Sequence, residues 1–174
     1  TAAIQLAHAA GATAFGTSRT AQKLERAKEF GLAHSIVVEE DPTVMIAIKG
    51  WTSNQGVNVI LDLVGAAYLE ANLIVLARLG RMIQVGTTSG SKATLDFGLM
   101  MSKRLTIRGT VLRARTDEEK ATATRLFAQH VVPLLSSGSV KPVIDRTYKL
   151  AEIREAHLRM ESNANFGKIV LAVE

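Results

Sequence analysis

Apolar and polar positions along the chain alternate between a helical period and a strand period. Residues 1–10 read as a helix that stops at Gly11, a residue that tolerates the left-handed terminal conformation. Residues 12–17 are a short apolar strand. Residues 20–30 carry Leu24, Ala27 and Phe30 on one side of a helix, which Gly31 ends. A β-branched strand follows at 35–38 and a short amphipathic helix at 43–49. Val57-Asn-Val-Ile-Leu-Asp-Leu-Val64 is nearly continuous in apolar character, as a strand covered on both faces should be. A helix at 68–79 closes at Gly80, and a buried strand at 81–85 ends at Gly86. A short helix at 97–102 and a strand at 105–112 complete the alternation.

Strands separated by helices through short glycine-marked turns predict a parallel sheet with right-handed crossovers, the doubly wound (Rossmann) α/β class. Near Arg113 the pattern changes. Residues 117–135 read as one long helix with Glu118 and Glu119 in its first turn, where they favour the helix dipole. Residues 140–150 read as extended, 151–161 as helix and 168–173 as a final strand. The expected division is a nucleotide-binding domain over 1–113 and a C-terminal α+β segment over 114–174 that packs toward something outside the chain. A helix opening at Thr1 with no cap before it predicts that the natural polypeptide begins upstream.

Composition narrows the classes. With 47% hydrophobic and 21% charged residues the chain can bury an ordinary globular core. No apolar run approaches the roughly 20 residues that span a bilayer, so no membrane role is expected. The absence of Cys excludes disulfides and thiolate zinc sites within the chain and fits a reducing cytoplasm. The net charge of +5 is spread out, without a basic run or interleaved aromatics, so an anionic small molecule is expected in preference to nucleic acid.

Ligands of open α/β sheets bind beyond the carboxyl ends of the strands. Those ends are Gly16-Thr-Ser-Arg-Thr20, Asp62-Leu-Val-Gly65, Val85-Gly-Thr87 and Gly109-Thr-Val-Leu-Arg113. Glycine at such turns is also ordinary turn chemistry. The first of them is the informative one. An NAD site places an acidic residue there for the ribose 2′-hydroxyl, whereas this chain has Ser18-Arg19-Thr20, then Lys23, and no carboxylate before Glu25. Arg19 can hold a 2′-phosphate through paired hydrogen bonds, which points to NADP(H).

The chain resembles the C-terminal half of the zinc-independent quinone oxidoreductases of the medium-chain dehydrogenase/reductase superfamily, nearest to the p53-inducible and zeta-crystallin-like branch. The stretches that carry the resemblance begin with Thr1-Ala-Ala-Ile-Gln-Leu-Ala7, Gly56-Val-Asn-Val-Ile-Leu-Asp-Leu-Val-Gly65 and Gly80-Arg-Met-Ile-Gln-Val-Gly86. They continue with Lys103-Arg-Leu-Thr-Ile-Arg-Gly-Thr-Val-Leu-Arg-Ala-Arg115, Val132-Pro-Leu-Leu135 and Lys141-Pro-Val-Ile-Asp-Arg146. Glu155-Ala-His157 and Asn165-Phe-Gly-Lys-Ile-Val170 complete them.

The resemblance implies that Arg19, Thr20 and Lys23 lie near the adenosine 2′-phosphate. It implies that Asp62, Val64 and Gly65 line the cofactor ribose. Val85, Gly86, Thr87, Thr110, Val111 and Leu112 would approach the nicotinamide, and Asn165, Gly167 and Lys168 would return to the cofactor cleft. It places the glycine-rich pyrophosphate loop and the central first strand immediately before Thr1, together with a GroES-like catalytic domain. Val38 stands where the family usually has Tyr or His against the adenine. The implied reaction is metal-free reduction of a quinone or enone by NADPH, in a homodimer paired through the strand near 105–112, with this segment alone inactive. No catalytic residue or metal ligand is assigned, since His8, His34, His130 and His157 have no ligand spacing. Another medium-chain reductase (alcohol dehydrogenase or enoyl reductase) and a non-catalytic, crystallin-like NADPH-binding protein are the alternatives.

Overall fold

The computed structural model describes residues 1–173. Helix α1 (Ala2–Ala9) precedes β1 (Ala14–Ser18), α2 (Ala21–Lys28) and β2 (Leu32–Val37). A 3-10 turn at Pro42–Ala47 runs into α3 (Ile48–Trp51), followed by β3 (Val57–Asp62). A second 3-10 turn at Ala66–Tyr68 leads into α4 (Leu69–Val75), β4 (Leu76–Gln84), α5 (Phe97–Lys103) and β5 (Thr106–Gly109). Then come α6 (Asp117–His130), α7 (Val132–Ser136), β6 (Ile144–Lys149), a 3-10 turn at Leu150–Glu152, α8 (Ile153–Glu161) and β7 (Lys168–Ala172). The alternating α/β order matches the expected class.

The sheet is divided. β1 pairs with β2, β3-β4-β5 form a parallel triplet, and β6 pairs in parallel with β7. Among the described residues no strand joins the first pair to the triplet. The chain forms two compact units. One contains Thr1–Gly16, Ala21–Ser35 and the chain from Thr124 onward; the other contains Thr17–Thr20 and Ile36–Ala123.

In the second unit α4 and α5 cover one face of the triplet. Leu73, Leu76, Met82 and Leu105 are buried there, packed by Ile60, Leu69, Leu99 and Ile107. Each fully buried aliphatic side chain contributes about 1.5–3 kcal/mol, so Leu73→Ala would cost about 2–5 kcal/mol through lost contact and a cavity. The other face of β3 stays open. Val59, Leu61 and Leu63 are 53%, 49% and 56% exposed, so the apolar run expected to be covered on both faces is covered on one. α4 also ends earlier than the pattern predicts. The Lys103 ammonium takes the carbonyls of Leu73, Ile74 and Leu76 at 2.8–2.9 Å, closing the helix at Val75. The chain then bulges through Leu79, whose φ is +65°, before pairing with β3 resumes at Arg81.

In the first unit Ala14, Leu24, Ala27, Leu32 and Phe166 form the core, with Ile4, Ala7, Phe30 and Val143 against it. Gln5 is buried in α1 and uses both ends of its amide on the backbone of Lys141, at 2.9 Å each. The long helix expected over 117–135 is broken after His130. Pro133, at the start of α7, has no N–H to continue the ladder.

Candidate functional site

The strand-end turns of the second unit are built around one carboxylate. Asp62 ends β3 and is 3% exposed. Its Oδ1 accepts the Val64 N–H at 2.5 Å and the Gly65 N–H at 3.1 Å, while Oδ2 accepts from Asn72 Nδ2 at 2.7 Å. Asn72 is itself 4% exposed, inside α4. The Asp62 carbonyl receives the N–H groups of Val85 and Gly86, at 2.7 and 3.3 Å, and Gln84 Nε2 at 3.3 Å. The turns after β3 and β4 therefore meet at Asp62.

They are also joined side by side. The Ser89 N–H and hydroxyl both donate to the Val64 carbonyl, at 2.8 and 2.9 Å, and Ser89 Oγ accepts the Ala67 N–H at 3.0 Å. The Ala66 N–H reaches the Gly90 carbonyl at 3.0 Å. This closeness demands glycine. A Cβ on Gly65, whose φ is +96°, would lie 2.7 Å from the Gly90 oxygen, and one on Gly86 would lie 2.7 Å from the Leu63 oxygen. The N–H groups of Val64, Gly65, Ala66, Ala67 and Tyr68 are all spent internally, the last on the Gly65 carbonyl at 2.9 Å. The turn thus differs from an anion-binding loop, whose amides point at the ligand. What it presents is apolar: Leu63 is 56% and Val85 43% exposed.

Arg19 and Thr20 are exposed at the end of β1, and the Thr20 N–H is held by Ser18 Oγ at 3.2 Å. Tyr68 reaches the same strand end. Burial pushes its phenol up, a hydrogen bond with Thr17 opposes this, the Asp62 charge adds to the rise and the Arg19 cation offsets it. Thr110 is fixed at the end of β5 by its N–H to the Gln84 carbonyl, at 3.0 Å, and by Arg115 on its hydroxyl at 2.9 Å. Val111 and Leu112, 59% and 66% exposed, follow it. Thr87 is exposed beside Gly86. Val38 is 1% exposed, a core residue whose N–H bonds the Ser18 carbonyl.

The remaining expected residues lie in the first unit. Lys23 Nζ donates to the Asn163 carbonyl, and to Asn163 Oδ1 at 3.0 Å. Asn165 Nδ2 donates to the Gly167 carbonyl at 3.1 Å, and the exposed Lys168 is tied by its N–H to the Val143 carbonyl at 2.8 Å. Phe166 between them is buried under the Arg26 guanidinium, 4.3 Å from its ring. Its N–H donates to Asp145 Oδ1 at 2.9 Å, and Arg159 grips the same carboxylate through Nε and Nη2 at 2.5 and 3.0 Å. The Arg159 bonds hold the Asp145 carboxyl down to about 2 against its burial, helped by the Phe166 N–H and the Arg159 and Arg26 charges.

Tyr68, Asn72, Gln84 and Ser89 were not singled out from the sequence. Asn72 and Gln84 did leave a signal there, as polar residues inside apolar runs. Among the described residues no group of three or more His, Cys, Asp or Glu is arranged to hold a metal ion, and no helix is long and apolar enough to cross a membrane.

Parallel strands that end in glycine turns packed on one another are of the Rossmann type, and the chain shares this α/β fold with the medium-chain dehydrogenases and reductases. A profile of zinc-binding dehydrogenases matches residues 30–171, and the chain belongs to that family. It is 32% identical over 178 residues to a quinone oxidoreductase of Salmonella typhimurium, covering 97% of this chain and 52% of that protein. It is 31% identical over 179 residues to highly reducing polyketide synthase 40 of Fusarium pseudograminearum, covering 99% of this chain and 7% of the synthase. The chain thus spans about half of the first relative and a small part of the second. Among solved structures, an NAD-dependent alcohol dehydrogenase superposes with TM-score 0.83 at 30% identity, over 99% of this chain and 47% of its own. Mycobacterial Rv1454c complexed with NADPH superposes with TM-score 0.80 at 25% identity, over 98% of this chain and 53% of its own.

Proposed function

We propose that this chain is the cofactor-binding part of an NADPH-dependent oxidoreductase that reduces a quinone or an enone. The observation that carries the reading is the end of β1, where exposed Arg19 and Thr20 stand without a carboxylate on their turn. A 2′-phosphate would be repelled by an acid there and is matched by a guanidinium. The likenesses to a quinone oxidoreductase and to an NADPH complex support it.

The residues fit a nicotinamide dinucleotide. Arg19 and Thr20 would take the 2′-phosphate. Val64, Gly65, Val85, Gly86 and Thr87 would form the shelf for the ribose and nicotinamide, with Thr110, Val111 and Leu112 beside it. Exposed aliphatic side chains against a flat ring exclude water and orient one face. The bound nicotinamide supplies hydride when reduced; this chain positions it and assigns no proton donor of its own. A homodimer paired through β5 fits that strand's place at the outside of the triplet.

The likeness to a polyketide synthase favours enoyl reduction as a second reading. The test is made on the protein at its full natural length, by following NADPH oxidation with ortho-quinones and with an enoyl thioester. Turnover of the quinone supports the first reading, and turnover of the thioester alone supports the second. Tight NADPH binding with neither would favour a non-catalytic role. Arg19→Glu should weaken NADPH about tenfold or more and NADH far less, and equal weakening would remove Arg19 from the 2′-phosphate site.

A further inference from the structure

The Asp62 carboxylate is enclosed, and every acceptor position the structure shows for it faces the protein: two N–H groups of its own turn and the amide of Asn72. Three of the roughly four lone-pair positions of a carboxylate are thus taken by the protein, and the residue is 3% exposed. We propose that Asp62 and Asn72 are positioning residues that hold the 62–68 turn with its N–H donors spent, so that it receives an uncharged ribose or nicotinamide portion and rejects a phosphate.

The inference rests on the proposed NADPH-dependent function, and it changes the role of Asp62 from cofactor ligand to builder of the surface. Without the carboxylate, the amides of Val64 and Gly65 would point at nothing. Buried donors in that condition reorganise or capture water, and the turn would lose the conformation that lets Gly65 lie against Thr87 and Gly90. Asn72 acts one step further back. Its Nδ2 orients the carboxylate by occupying Oδ2, which leaves Oδ1 for both turn amides. Asp62→Asn preserves this logic. The new side chain still offers an oxygen to Val64 and Gly65, and its NH2 is accommodated once Asn72 turns its amide over to present oxygen.

The test combines amide exchange of the unliganded protein at full natural length with its affinities for NADPH and NADH. In Asp62→Ala the exchange of Val64 and Gly65 should quicken, and both affinities should fall by about tenfold with their ratio unchanged. Asp62→Asn should stay within about threefold of the natural protein in both measurements. If Asp62→Ala does not fold, Asn72→Ala takes its place, with faster exchange at the same two amides and a smaller, equal loss for both nucleotides. Asp62→Asn losing as much affinity as Asp62→Ala, with exchange unaltered, would make Asp62 a direct ligand and overturn the proposal. So would an Asn72→Ala that lowers thermal stability alone. A natural protein that binds neither nucleotide sinks the functional reading, and this proposal with it.

Discussion

Two buried aspartates organise two glycine turns in this chain, and they do so by different physics. Asp62 is surrounded by neutral donors, the amides of Val64 and Gly65 and the side chain of Asn72. Asp145, with a side chain 2% exposed, shares one backbone donor, Phe166, with the full charge of Arg159. The first is a hydrogen-bond knot whose value lies in donors that would otherwise be orphaned. The second is an ion pair whose value depends on both partners staying charged. The 62–68 turn is held without a cation bonded to its carboxylate, whereas the 163–168 turn sits among Lys23, Arg26 and Arg159 and needs a counter-charge.

The largest expected effect comes from breaking the neutral knot. Asp62→Ala leaves its buried donors without an acceptor, at roughly 2–4 kcal/mol in total, read by chemical denaturation. A loss below about 0.5 kcal/mol would mean that the turn finds other acceptors.

Removing the charge from Asp145 comes next. Asp145→Asn should lower Tm by on the order of 5 °C at neutral pH, and the deficit should depend on acidity. The folded carboxyl titrates at about 2, below its ordinary value of 3.8, so the folded state binds fewer protons than the unfolded one between those values. Its contribution is fully present above about pH 4 and is lost as pH falls toward 2. The variant and the natural protein should therefore converge in stability through that window. A constant Asp145→Asn deficit from pH 6 to 2 would remove the ion pair as its cause. The smallest effect is that of Ser89→Ala, which loses the bonds to Val64 and Ala67 at the exposed side of the knot and should cost about 1 kcal/mol.

The alternation of helices and strands and the glycine-ended turns were legible because period and turn chemistry are local. The long reach of Lys103 to the carbonyls after Leu73 was not, so the helix expected to 79 stops at Val75. The open face of β3 was hidden for a related reason. An apolar run reports what a strand is suited to bury against, whereas the coverage itself depends on which side α4 and α5 take. At the site, Arg19 announced itself by the absence of a carboxylate beside it. For Asp62, spacing gives only its place on a turn, whereas side-chain geometry shows that its oxygens face Val64, Gly65 and Asn72.

The most direct measurement is a calorimetric titration of the protein at full natural length with NADPH and with NADH. The account predicts NADPH tighter by about tenfold or more, with the preference abolished by Arg19→Glu and preserved by Asp62→Asn. NADH binding as tightly as NADPH to the natural protein would contradict it.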